Sequence, residues 1–106
     1  MTATCSLYLA EVLTYGPDNP IKIGVSANPA KRMRQLSAVG IFCPHLLGIY
    51  VFTSRRAACA AEAAALRRFP RTCRWPSHEV LEATFKELQR FFDQFGMDFY
   101  EFPALV

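Results

Sequence analysis

Two short stretches near the start of the chain, Leu7 to Leu13 and Ile21 to Val25, are apolar and partly β-branched or aromatic, the composition of β-strands. Tyr15-Gly16-Pro17-Asp18-Asn19-Pro20 between them is dense in turn formers, so the pair is expected to close as a hairpin. The two-residue period of a strand puts Ile21, Ile23 and Val25 on one face, and Lys22 and Gly24 on the other. Tyr8, Ala10 and Val12 share a face of the first strand in the same way, so a suitable register would present Tyr8 beside Lys22. Asn28-Pro29 then opens a helix, the asparagine capping free N–H groups and the proline occupying the first turn, with Gly40 as its stop. Met33 and Leu36 face inward on this helix, Lys31 and Arg34 face water, and Arg32 lies at the border.

His45 to Phe52 is a continuous apolar run and reads as a buried strand. Ser54 caps an alanine-rich helix from Arg55 to Phe69, stopped by Pro70. A third helix is expected from Pro76-Ser77 to Gly96, because Leu81, Thr84, Phe85, Leu88, Phe91, Phe92 and Phe95 recur at three- and four-residue steps. Met97 to Phe102 has the composition of a further short strand. The order of principal elements is β-β-α-β-α-α, an α+β pattern in one domain spanning 1–106 with its core in 6–95.

With 52% of its residues apolar, the chain can bury a core without disulfide or metal staples. Met1 to Ala10 has neither a basic leader nor a long apolar stretch, and no later run reaches membrane-spanning length, so the reading is a soluble, unsecreted, cytoplasmic protein. Cys5, Cys43, Cys59 and Cys73 are widely spaced, as free thiols of a reducing compartment are. A zinc site built from Cys43, His45, Cys73 and His78 is disfavoured, because no two of these ligands are paired in the usual close spacing.

The net charge of +3 hides an uneven distribution. From Lys22 to Arg74 ten basic side chains stand against one acid, Glu62, a local charge of +9, while the flanking segments carry −2 and −4. A basic face releases counterions from a phosphate backbone and steers its approach, which points to nucleic acid; a solvated surface offset by an acidic helix is the plainer alternative. Glu62 falls in line with Ala58, Ala65, Leu66 and Phe69 on the inward face of the second helix. A carboxylate placed there needs a partner, either an arginine such as Arg32 or a bound cation.

Four pieces of this sequence, in order, resemble the GIY-YIG nuclease superfamily, and within it a small phage and bacterial branch whose second signature reads Lys-Ile-Gly. Ser6-Leu7-Tyr8 stands at the first signature, and Ile21-Lys22-Ile23-Gly24-Val25-Ser26 matches the second. Asn28-Pro29-Ala30-Lys31-Arg32-Met33-Arg34-Gln35-Leu36 matches the helix carrying the family's arginine, and Glu62 with Leu66 and Phe69 the helix carrying its metal-binding glutamate. Gly48-Ile49-Tyr50 spells the first signature literally, but it follows the Lys-Ile-Gly strand, so Tyr50 is read as a strand residue.

The resemblance implies a three-stranded antiparallel sheet, hairpin plus one strand, flanked by three helices. It implies a metal-dependent DNA endonuclease of the phage or mobile-element kind, with Tyr8, Lys22, Arg32 and Glu62 catalytic and Glu62 holding one Mg2+ or Mn2+. In these terms Tyr8, through its phenolate or by orienting water, helps deprotonate the nucleophile, Lys22 lowers the pKa of the phenol, and Arg32 neutralises charge on the phosphate. Lys31, Arg34, Arg55, Arg67 and Arg71 are the candidate contacts to single- or double-stranded DNA. The branch commonly has a histidine where Leu66 stands and Gly-Glu-Trp where Cys73-Arg74-Trp75 stands, departures that remove polar support while leaving the grip on DNA. They motivate the alternative of a binding module, with weakened or lost catalysis, that regulates nucleic acid or inhibits a protein partner; pairing with a second copy and docking of the basic face on an acidic protein also stay open.

Overall fold

The computed structural model of the chain describes residues 4–12, 20–39, 44–71 and 79–101. Along them run β1 (Cys5–Val12), β2 (Ile21–Ser26), α1 (Pro29–Val39), β3 (Pro44–Phe52), α2 (Arg55–Arg68), β4 (Val80–Leu81), α3 (Phe85–Asp93) and β5 (Asp98–Glu101). The fold is α+β. The strands form one sheet in the order β4-β2-β1-β3-β5, with every neighbouring pair antiparallel. The three-stranded sheet expected from the sequence is therefore its centre, and β4 and β5 extend it at either side to five strands among the described residues.

The alternation of β1 sorts the interior into two halves. Leu7 and Leu9 join Ile21, Ile23, Tyr50 and Phe52 on the face covered by α2 and α3, against Ala58, Ala61, Ala65, Leu88 and Phe92. The methyl side chains of α2 allow that helix to approach the sheet closely, and all three of these alanines are fully buried. Tyr8, Ala10 and Val12 line the opposite face, where Met33 and Leu36 dock α1. No helix among the described residues is long and apolar enough to cross a membrane.

The third helix begins later than the sequence periodicity predicts. Leu81 is a strand residue and Thr84 is the cap: Thr84 Oγ1 accepts from the Glu87 N–H at 3.1 Å, and the Glu87 carboxylate accepts from the Thr84 N–H at 3.2 Å. This reciprocal cap fixes the first turn at Phe85, while Val80 and Leu81 pair with Lys22 and Ile21 and are both fully buried. The expected start at Pro76-Ser77, the stop at Gly40, and the end of the first strand at Leu13 lie outside the described residues.

Tyr50 lies on the α3 face, away from Tyr8. Its hydroxyl donates to Asp93 Oδ1 at 2.9 Å and to the Gln89 carbonyl at 3.2 Å, and its ring packs on Phe99 and Phe92. Burial, with the Asp93 carboxylate beside it, holds this hydroxyl well above the usual phenol range. The tyrosine of the literal Gly-Ile-Tyr run is thus a structural link between β3 and α3.

Candidate active site

The register of the hairpin sets Tyr8 opposite Gly24 and Ala10 opposite Lys22. Both functional side chains emerge on the same face, and the Tyr8 phenol lies across the backbone of Gly24. A Cβ at Gly24 would stand 2.2 Å from the Tyr8 hydroxyl oxygen, so the glycine is what leaves room for the phenol. Lys22 is only 3% exposed. Its ammonium donates to Glu79 Oε2 at 3.3 Å and to the Ile23 carbonyl at 3.2 Å, and sits 6.0 Å from the centre of the Tyr8 ring. Burial pulls the Lys22 pKa below the ordinary lysine value, and Glu79 works against that pull.

Arg32 is positioned by the start of α1. Asn28 Oδ1 accepts from the Lys31 N–H and the Asn28 carbonyl from the Arg32 N–H, each at 3.1 Å, while Met33 and Leu36 hold the helix on the sheet. The Arg32 side chain stays exposed and reaches the Tyr8 hydroxyl. Burial raises the Tyr8 pKa above the usual phenol value, and Arg32 opposes this by hydrogen bonding and by charge. The Arg32–Glu62 ion pair weighed from the sequence is not formed among the described residues, and Arg32 bears on the Tyr8 phenol instead.

Glu62 arrives from α2, on the other side of the sheet. Its spacing predicts an inward position, but it is half-buried at the margin of the Ala58–Ala61–Ala65 stripe. There it couples electrostatically to Lys22 and Tyr8, as does Glu79. Burial, then the neighbouring Glu79, push the Glu62 pKa above the ordinary carboxylate value; Lys22, Arg55 and Arg71 oppose the rise. Among the described residues Glu62 makes no ion pair. Glu79 behaves in the opposite way: burial works to raise its pKa, but Lys22 at hydrogen-bonding distance, a backbone hydrogen bond and Arg71 together outweigh it and leave the pKa lowered.

Tyr8, Lys22, Arg32 and Glu62, all singled out in the sequence, are therefore brought into one set of interacting groups, joined by Glu79, which was not. Its one sequence signal is an acid directly before the apolar pair Val80-Leu81, a pattern hidden by the helical period read across it. Of the candidate DNA contacts, Arg55 and Arg71 bear on Glu62; Lys31, Arg34 and Arg67 are exposed on α1 and the last turn of α2. Leu66 packs against the α2 and α3 core. Cys43, Cys73, Arg74, Trp75 and His78 lie outside the described residues, and among the described residues no three His, Cys, Asp or Glu side chains converge as a metal cage.

No family model matches the chain, and neither the curated proteins nor the solved structures include one detectably similar to it.

A divalent cation fits the chemistry of Glu62. The carboxylate is half-buried, without an ion pair among the described residues, and destabilised as an anion by its surroundings, so a bound cation would relieve it. Glu79 is already committed to Lys22. Among the described residues the site thus offers one carboxylate, a donor set that suits a hard ion completing its shell with water and phosphate oxygens.

Proposed function

We propose that this chain is a metal-dependent phosphodiesterase acting on DNA, of the GIY-YIG type that its sequence resembles. The observation that carries the proposal is the convergence of a buried phenol, a buried ammonium and an exposed guanidinium with a carboxylate that has no ion pair among the described residues, from four separate elements. Tyr8 helps deprotonate the attacking nucleophile, by orienting it as the phenol or through its phenolate, which Arg32 and the Lys22 ammonium facing its ring favour by charge against the effect of burial. Arg32, exposed at the mouth of the site, also forks onto the phosphate oxygens as negative charge develops there. Glu62 holds one Mg2+ or Mn2+, which when bound polarises the phosphate and stabilises the leaving oxygen. Arg55 and Arg71 beside the carboxylate, with exposed Lys31, Arg34 and Arg67, receive the DNA backbone through counterion release.

The test is incubation of the purified protein with plasmid and single-stranded DNA in Mg2+ or Mn2+. Cleavage that is lost in Glu62→Gln supports the reading, and intact DNA with both metals removes it. One observation favours a second reading, a DNA-binding module without catalysis: Leu66 is core packing where a polar supporting group is expected from the resemblance. That reading gains if DNA binding is strong, cleavage is absent, and binding is unchanged by Glu62→Gln.

A further inference from the structure

Lys22 presents a problem that the four-residue site does not solve. A lysine side chain is long and flexible, and its ammonium is strongly hydrated in water, yet here it is almost wholly buried. Something must hold it in the orientation that faces the Tyr8 ring. The Ile23 carbonyl supplies one acceptor, and the Glu79 carboxylate supplies the second and the only full opposite charge at hydrogen-bonding distance among the described residues. The remaining charged and titratable groups that act on Lys22 are Arg32 from α1, which repels it, and Glu62 from α2, which attracts it from further away.

The placement of Glu79 is built into the fold. β4 is two residues long, and its one strand partner among the described residues is β2, at Ile21 and Lys22. The Ile23 N–H donates to the Glu79 carbonyl at 2.9 Å, so the residue just before β4 is fixed level with the end of the Lys22 side chain. The far end of β4 is tied down as well: Arg71 bridges Leu81, and the Glu82 N–H donates to the Pro70 carbonyl at 2.9 Å, joining this strand to the segment that follows α2. A strand of this length adds little burial of its own beyond Val80 and Leu81. Its consequence for the site is to deliver one carboxylate to one ammonium.

We propose that Glu79 is a positioning residue, which clamps the Lys22 ammonium against the edge of β2 so that its charge faces the Tyr8 phenol. The inference rests on the reading of Tyr8 as the group that activates the nucleophile. Glu79 acts through Lys22 and touches neither phosphate nor metal. Without it, the buried ammonium either loses its proton or swings out to water, and in both cases the phenol loses a neighbouring positive charge.

The experiment uses the full chain as wild type, Glu79→Gln, Glu79→Asp, Lys22→Met and the Lys22→Met/Glu79→Gln double variant. Lysine NMR resonances follow the Lys22 titration, and ultraviolet difference spectra against Tyr8→Phe follow the phenol. In Glu79→Gln the Lys22 titration is expected to move down by about one pH unit or more, while that of Tyr8 should fall by less than loss of the Glu79 carboxylate alone would cause, because the displaced ammonium offsets it. Glu79→Asp should restore part of both shifts. Cleavage of DNA should fall about tenfold in kcat with little change in KM, as for loss of an interaction that matters in the transition state. In the Lys22→Met background Glu79→Gln removes only the direct push of the Glu79 carboxylate on the phenol, so the Tyr8 titration should move down by more than it does with Lys22 present. An unchanged Lys22 titration in folded Glu79→Gln, or a Tyr8 shift of equal size with and without Lys22, overturns the proposal, and so does full cleavage activity when Lys22 has shifted. Should Glu79→Gln fail to fold, Glu79→Asp carries the same comparison. If wild type cleaves no DNA, the nuclease reading fails by itself, while the two titrations still decide whether Glu79 clamps Lys22.

Discussion

Replacing Gly24 by alanine places a methyl group where the Tyr8 phenol lies. The new Cβ would stand 2.2 Å from the hydroxyl oxygen, 2.4 Å from Cζ and 2.7 Å from Cε2. Comfortable carbon contacts lie at roughly 3.5–4.0 Å, so the ring must retreat by about 1 Å. It has little space to do so, since Ile49 flanks it across β3 and Met33 and Leu36 press on it from α1. Overpacking of this kind destabilises by about 1–3 kcal/mol, and a displacement of ~1 Å in a reacting group lowers a rate by about 10²-fold. Urea unfolding measures the first quantity and DNA cleavage the second. The cause is isolated by a double-mutant cycle with Tyr8→Leu, whose shorter side chain leaves the space over Gly24 open. Most of the penalty should vanish in that background. An equal penalty with and without the phenol, or wild-type cleavage by Gly24→Ala, would refute the argument that this glycine exists to seat Tyr8.

Three further outcomes test other parts of the structure. Because burial and Glu79 hold the Glu62 pKa above its unfolded value, the folded chain keeps this proton longer, and stability falls as pH rises through the window between the two pKa values. Glu62→Gln should flatten that fall, leaving the metal-free variant at least as stable as wild type at neutral pH, and should abolish the rise in Tm that Mn2+ gives wild type; calorimetry with and without metal checks both. Arg32→Ala should reduce cleavage by about 10²-fold while changing stability by less than about 0.5 kcal/mol, since the side chain is exposed; equal loss of stability and activity would show a structural role instead. Tyr50→Phe removes the donor to Asp93 and Gln89 and should destabilise by about 1 kcal/mol with cleavage unchanged, an outcome read from the same two assays.

Local rules carried the reading of the sequence far, and their failures have identifiable causes. The two-residue period placed Tyr8 and Lys22 on one face, and the pairing of Tyr8 with Gly24 made them neighbours. Asn28 and Ser54 marked the starts of α1 and α2, because side-chain caps act within three residues. What sequence proximity could not reveal was β4. Val80 and Leu81 continue the helical stripe of α3 when read along the chain, and only their pairing with β2, some sixty positions earlier, makes them a strand. Glu79 was hidden by the same cause, since its meaning comes from Lys22 and not from its neighbours. Glu62 was legible as the lone acid of a basic segment, but its place at the margin of the helix stripe depends on how α2 sits on the sheet.

The account depends most on a cation held by Glu62 within reach of Tyr8 and Arg32. Crystals of the protein with a phosphorothioate oligonucleotide, soaked in Mn2+ and measured at the manganese absorption edge, locate that cation directly. An anomalous peak about 2.1 Å from a Glu62 carboxylate oxygen, and shared with a phosphate oxygen, is the expected result. Bound oligonucleotide with no peak beside Glu62, or with manganese held only elsewhere, would contradict it.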